Sequence, residues 1–183
     1  ALGCRLGVGY AVDEKEIDLF QNGATAVTKA AAVALNQQKA CFAAPTVHLT
    51  VDYRASDDVN LYARAAHGYR SGGFNARQTT SVANNIALIP FSEEKIWSFE
   101  LGAKTQLVSG LTLNGAVFYN LNSDGQVTVP IPIQGGGSFG TQVINAGKSD
   151  SLGVELEARW QITDGLSDDG SIGYIVHNLK RFP

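Results

Sequence analysis

The sequence predicts an all-β chain: an antiparallel, up-and-down transmembrane β-barrel segment of about seven strands. Three observations predict it. Seven segments alternate apolar and polar side chains with a period of two, the pattern of a strand with unlike faces. Short connections alternate with long ones, as in a barrel with tight turns at one rim and long loops at the other. The polar faces carry charged residues in successive positions, such as Glu155, Glu157 and Arg159, which an enclosed apolar core would not hold unpaired.

The strands follow in order. The first runs from Leu2 to Val12, with Leu2, Cys4, Leu6, Val8, Tyr10 and Val12 on one face. The second, Thr46 to Arg54, sets Val47, Leu49, Val51 and Tyr53 against His48, Thr50, Asp52 and Arg54. The third, Asn60 to Arg70, sets Leu61, Ala63, Ala65, His67 and Tyr69 against Tyr62, Arg64, Ala66 and Arg70. The fourth puts Trp97, Phe99, Leu101 and Ala103 opposite Ser98, Glu100 and Lys104. The fifth puts Leu111, Leu113, Val117, Tyr119 and Leu121 opposite Thr112, Asn114, Asn120 and Asn122. The sixth sets Leu152, Val154, Leu156, Ala158, Trp160 and Ile162 against the Glu155, Glu157, Arg159 row, and a weaker seventh spans Ser171 to His177. Tyr10, Tyr53, Tyr69, Trp97, Phe99, Tyr119 and Trp160 all fall on apolar faces. Several lie near strand ends, where an interfacial aromatic girdle belongs.

Ala55–Asp58, Val108–Gly110 and Thr163–Asp169 are the short connections. The long ones, 13–45, 71–93 and 123–144, are expected as outer loops. Within the first, Gly23 to Ala40 is rich in alanine and reads as a loop holding one or two helical turns, with a full helix as the alternative. Gly135-Gly136-Gly137 reads as a flexible loop tip; it lacks the Lys and helix that a phosphate-cradling loop requires.

Composition narrows the function classes. Net charge is −3 with scattered Lys and Arg, which argues against a nucleic-acid partner. No run of 18 apolar residues exists, so no transmembrane helix is expected, and barrel strands are too short to be excluded by that test. No Met is present and the chain opens Ala1-Leu2-Gly3, so a processed, partial or renumbered chain is expected. Cys4 and Cys41 match no metal motif, and His48, His67 and His177 are dispersed, so neither a metal site nor a cofactor is expected. If the first two strands pair with Val12 near Phe42 and Cys4 near Thr50, the cysteines lie about eight residues apart along the sheet, ~27 Å. No disulfide is therefore expected, since that bond needs Cα atoms within about 7 Å.

Four stretches together carry a family resemblance: Tyr10–Asp18; Asp57–Asn75, with Gly68-Tyr69-Arg70-Ser71-Gly72-Gly73-Phe74-Asn75; Phe91–Lys104, with Glu93-Glu94 and Glu100-Leu101-Gly102-Ala103-Lys104; and Ile144–Asp164, with Asn145-Ala146-Gly147. In these the chain resembles the barrel of TonB-dependent outer-membrane receptors of Gram-negative bacteria. The resemblance implies a barrel of about 22 strands around a plug domain. It implies uptake of a scarce ligand, such as a ferric siderophore, haem, cobalamin or a glycan, driven through the TonB complex. The partners it implies are the lipid bilayer, a small-molecule ligand, and the TonB complex reached through a plug that this sequence does not contain. About seven strands and no plug mark the chain as a fragment of a larger receptor.

In such a receptor the ligand contacts come from residues that face the lumen near the outer rim. Arg70, Ser98, Asn120, Asn122 and Lys148 are expected there, with Arg64 deeper, and Arg and Asn donors suit anionic siderophores or glycan hydroxyls. Lining the wet lumen or touching the plug would explain the same residues. Two other readings stand beside the receptor. One is a soluble β-rich binding or structural module derived from a receptor sequence. The other is a hydrolase built on His67 and Ser71 or on Glu155 and Glu157; no Gly-x-Ser-x-Gly elbow is present, and lumen-facing acid rows explain the glutamates more simply. The receptor reading assigns no catalytic residue.

Overall fold

A computed structural model describes residues 1–18, 37–75, 90–132 and 139–181. The described chain is all strand and turn. The strands are β1 (Leu2–Asp18), β2 (Gln37–Arg54), β3 (Val59–Arg70), β4 (Gly73–Phe74), β5 (Pro90–Phe91), β6 (Glu94–Val108), β7 (Leu111–Pro132), β8 (Phe139–Thr163) and β9 (Leu166–Arg181). Seven of them form one antiparallel sheet in the order β1-β2-β3-β6-β7-β8-β9, and β4 and β5 pair as a small separate ladder. Every neighbour in the large sheet is the next long strand in sequence, which is the up-and-down topology the alternating turns predict.

Register turns the seven period-two patterns into two continuous faces. Cys4, Val51, Ala63, Leu101, Val117, Val154 and Tyr174 are successive cross-strand partners, so each lies beside the next on one surface. One residue along, Arg5, Thr50, Arg64, Glu100, Phe118, Gly153 and Ile175 form the matching row on the other surface. The apolar surface is not covered. Leu6 is 68%, Leu101 65% and Leu156 56% exposed, and the only buried apolar side chains among the described residues are Ile17, Phe42 and Ala44. A domain folded around its own core would hide such residues. This sheet is a wall whose apolar surface needs an apolar medium.

The wall has unlike ends. At one, Ala55–Asp58, Ser109–Gly110 and Asp164–Gly165 close tight hairpins, with Gly110 at φ 79° taking the left-handed conformation its turn requires. At the other the strands run further than the alternation predicts. Asp13–Asp18 still pairs with Gln37–Phe42, and Gly125–Pro132 with Phe139–Ala146. Within the expected loop 13–45 the described residues Asp13–Asp18 and Gln37–Pro45 are therefore ladder, and most of 123–144 is ladder too, extending beyond the apolar belt. Most of Gly23–Ala40, and Gly135–Gly137, lie outside the described residues, and the last four positions of the former, Gln37–Ala40, are strand. β9 is 16 residues long, where a short, weak strand was expected.

The β1–β2 register also differs from the expected one by a residue: Val12 pairs with Ala43 and Cys4 with Val51. The observed register keeps apolar beside apolar along the whole belt, which a one-residue slip would destroy. Both cysteines are free.

Candidate functional site

At the end with the long connections, the polar surface carries a clasp. The chain leaves β3 at Arg70 and returns into β6 at Glu94. The two stubs flanking that connection, Ser71–Asn75 and Pro90–Glu93, lie across the extended β7–β8 hairpin. Asn75, 7% exposed, binds the β8 backbone twice: its Nδ2 donates to the Val143 carbonyl at 3.1 Å, and its Oδ1 accepts from the Val143 N–H at 2.7 Å. Asn145 holds Ser92 in the same way, accepting the Ser92 N–H at 2.7 Å and donating to its carbonyl at 2.9 Å. Gln126 Nε2 donates to the carbonyls of both Ser71 (3.0 Å) and Ser92 (3.1 Å). Glu94 completes the set, accepting from Asn122 Nδ2 at 2.7 Å and the Gln126 N–H at 3.1 Å.

The bonds to Ser71 and Ser92 satisfy backbone groups that the irregular stubs cannot pair within a ladder, and those from Asn75 and Glu94 tie the stubs to the β8 and β7 backbone. β4 and β5 pair with each other through Gly73–Phe91 and Phe74–Pro90. Gly72 fits because it has no side chain: a Cβ would lie 2.2 Å from the Phe91 carbonyl oxygen and 2.3 Å from the Phe42 ring. Lys15 Nζ donates to the Gly72 carbonyl at 2.6 Å and lies 5.9 Å above the centre of the Phe42 ring, tying β1 to the same knot. Asp124 at φ 57° and Gly147 at φ 42° adopt the left-handed conformation where β7 and β8 enter the extension. Beside the clasp, Glu93 has its carboxyl held below the usual carboxylate range by its own backbone N–H and by Lys95 at 3.1 Å.

Below the clasp the polar surface is a ladder of hydrogen-bonding groups. Tyr62 donates to Glu100 at 2.6 Å, Asn114 to Glu157 at 3.2 Å and Asn120 to Ser151 at 3.3 Å. An open cleft of about 560 Å³ lies among Tyr62, Glu100, Lys104, Asn114, Glu155 and Glu157.

Of the six expected site residues, five share this surface. Arg64 is exposed and deeper, in the Glu100–Phe118 row, and Arg70 is exposed opposite Glu94. Ser98 lies between Ala66 and Asn120, and Asn122 is held by Glu94. The sixth, Lys148, does not face the lumen side as expected. It pairs with Ser123 and takes the parity of Asp150 and Leu152, on the apolar surface. The residues that sequence reasoning missed as a site are Asn75, Glu94, Gln126 and Asn145. Three of them lie inside stretches that carry the family resemblance, so the signal was present without its geometry.

A one-sided apolar sheet, aromatic residues at its margins, tight turns at one end and extended hairpins at the other define the wall of a transmembrane β-barrel. Comparison with known proteins agrees. Residues 17–180 match the family "TonB dependent receptor-like, beta-barrel", and the chain belongs to it. It is 36% identical over 122 residues to the pesticin receptor of Yersinia enterocolitica and 35% identical to that of Yersinia pestis, spanning 66% of this chain and 16% of each receptor. Among solved structures it superposes on the ferric yersiniabactin uptake receptor FyuA from Yersinia pestis with a TM-score of 0.62 and 30% identity, over 80% of this chain and 21% of that one. It also superposes on the copper transporter OprC with a TM-score of 0.70 over 97% of this chain and 27% of that one, where 17% identity speaks for fold alone. The apolar surface accordingly faces lipid, the polar surface the lumen, and the membrane is the Gram-negative outer membrane.

Proposed function

We propose that this chain supplies part of the lumenal wall and mouth of an outer-membrane receptor that takes up a ferric siderophore by TonB-dependent transport. Two features support this: the clasp, which anchors the base of the long connection over the lumen, and the likeness to pesticin and yersiniabactin receptors. The long connections face outward, where a ligand arrives. Arg70, Ser98, Asn120 and Asn122 offer donors near that mouth, and Arg64 offers one deeper, to an anionic chelate and to the water around it. The wall selects and passes ligand, and energy comes through a plug and the TonB complex. No bond-breaking step is assigned to it.

The test is uptake by the natural organism, with radioiron carried on a panel of purified ferric siderophores. Removing the gene, or TonB, is expected to abolish uptake of at least one panel member. Arg64→Ala with Arg70→Ala at the chromosomal copy is expected to raise the concentration needed for that uptake about tenfold. Unchanged uptake of every ferric siderophore in the deletion strain would overturn the siderophore assignment and move the same assay to copper and glycans.

A further inference from the structure

Two lumenal arginines stand opposite carboxylates and pair with neither. Arg64 is the cross-strand partner of Glu100, and Arg70 of Glu94. Such partners have Cβ atoms about 5 Å apart, well within reach of an ion pair. Both arginines are exposed, and neither forms an ion pair among the described residues. Each glutamate is held by other groups instead. Glu100 accepts from the Tyr62 hydroxyl at 2.6 Å, and Glu94 accepts from Asn122 Nδ2 at 2.7 Å and the Gln126 N–H at 3.1 Å. On the β2 side of Arg64, Asp52 is the partner of Tyr62, and Arg5 takes its carboxylate at 2.8 Å.

The hold on Glu100 is fixed by the strand backbone. The Tyr62 ring covers Gly102, where an added Cβ would lie 2.4 Å from Cζ and 2.5 Å from the hydroxyl oxygen, and Lys104 Nζ lies 5.9 Å from the ring centre. Glu100 and Gly102 are two residues apart on one face of β6, so a ring seated over Gly102 sets its hydroxyl beside the Glu100 carboxylate. The phenol is neutral, so it turns the carboxylate aside without adding a charge. Counted from Val59 at the tight turn, Arg64 is five residues up β3 and Arg70 eleven. At ~3.3 Å per residue and a tilt near 45°, the two guanidinium groups stand about 12 and about 26 Å up the wall. One cation is thus near the mouth and the other below it on the same strand.

We propose that Tyr62 is a positioning residue: it holds Glu100 off Arg64 and keeps that guanidinium free for the anionic oxygens of a chelate moving inward from Arg70. Asn122 and the Gln126 N–H do the same for Arg70 by holding Glu94. The inference deepens the proposed function and rests on its reading of this surface as the ligand's path. Tyr62→Phe keeps the ring over Gly102 and removes the hydrogen bond that Glu100 accepts, so the carboxylate swings to Arg64.

The experiment is arginine modification by phenylglyoxal of the whole natural receptor in non-ionic detergent, read site by site by peptide mass mapping. The reagent attacks the deprotonated guanidine, and a bound carboxylate both favours the protonated form and blocks the approach. Tyr62→Phe is expected to slow modification of Arg64 about fivefold, the worth of one partly exposed ion pair, with Arg70 unchanged as the internal reference. Tyr62→Phe/Glu100→Gln is expected to restore the natural rate, which a loss of packing alone would not do. Equal Arg64 rates in the natural protein and Tyr62→Phe would overturn the positioning role. So would slowing that Glu100→Gln leaves in place, or an Arg64 that does not react in the natural receptor. Heat-dependent gel mobility checks that both variants are folded. In the uptake assay, Tyr62→Phe is expected to raise the concentration needed of the panel member taken up about fivefold, and the double variant to reverse it. Slowed labelling with unchanged uptake would overturn the service of Arg64 to the chelate. The labelling uses no siderophore, so failure of the siderophore assignment in the deletion strain is a separate result and leaves the labelling to decide the role of Tyr62.

Discussion

Single residues decide how the lumenal face packs. The Tyr62 ring lies over its cross-strand partner Gly102, where an added Cβ would meet ring atoms at 2.4 Å, and the Phe118 ring lies over Gly153, where it would meet them at 2.2 Å. An aromatic ring covering a strand glycine restores the side-chain contact that glycine lacks. Gly153→Val is therefore expected to destabilise the folded barrel by about 1–3 kcal/mol, read as an earlier urea midpoint in a tryptophan-fluorescence unfolding curve. Asn75 is the corresponding position in the clasp. Removing its amide leaves both the N–H and the carbonyl of Val143 without their partner, so Asn75→Ala is expected to cost about 1–3 kcal/mol locally. Because its partners lie beyond the belt, the signature is faster hydrogen exchange across Ser71–Asn75 and Val143 with the overall urea midpoint unchanged. A shift of the whole unfolding curve would show that the clasp supports the barrel rather than the mouth.

At the scale of strands, adjacent residues of β6 answer opposite solvents. Leu101, 65% exposed, lies on the lipid face about halfway up the belt, and Glu100 lies on the lumenal face bonded to Tyr62. Leu101→Lys is expected to cost ~2–4 kcal/mol in refolding into bilayers, the penalty for a cation near the midplane, whereas Glu100→Gln is expected to cost less than about 1 kcal/mol. Comparable losses would mean that the faces are wrongly assigned. The same contrast explains what was legible in the sequence. Within the belt each strand meets lipid on one side and water on the other, so alternation wrote six strands and both faces plainly and the seventh, Ser171–His177, weakly. Beyond the belt the pattern fails for two reasons: Asp13-Glu14-Lys15-Glu16 is charged on both sides, and Pro130 and Pro132 interrupt Gly125–Pro132 with residues that a sequence reading assigns to loops, which hid both ladders. Lys148, expected to face the lumen near the outer rim, lies just past the expected loop, where no alternation shows its side; ladder parity places it on the apolar surface. The β1–β2 register slipped by one because a long connection, unlike a two-residue turn, does not pin it. The clasp was invisible because Asn75 and Val143 are 68 positions apart and the bonds run to backbone, which no side-chain pattern records.

For the molecule as a whole, the outer strands β1 and β9 pair on one side only among the described residues. Unpaired N–H and carbonyl groups facing hydrocarbon cost several kcal/mol each, so in a membrane these edges require further strands beside them. The chain spans 16% of the length of the pesticin receptors it matches, and the wall it forms is correspondingly a sector. Its two exposed cysteines report how that sector is mounted. Cys4 pairs with Val51, three residues from the end of β2 at the tight turn, and shares the lipid face with Leu101. Cys41 pairs with Glu14, 13 residues from the same end of β2, about 30 Å up by the same rise and tilt. With the long connections outward, an impermeant maleimide added to intact cells is expected to modify Cys41 and spare Cys4, and a membrane-permeant maleimide after detergent extraction to modify both. Peptide mass mapping distinguishes the two sites. Modification of neither residue on intact cells, with Cys41 reacting once the outer membrane is breached, would place the long connections in the periplasm. That outcome would also remove the clasp from the ligand's side of the membrane.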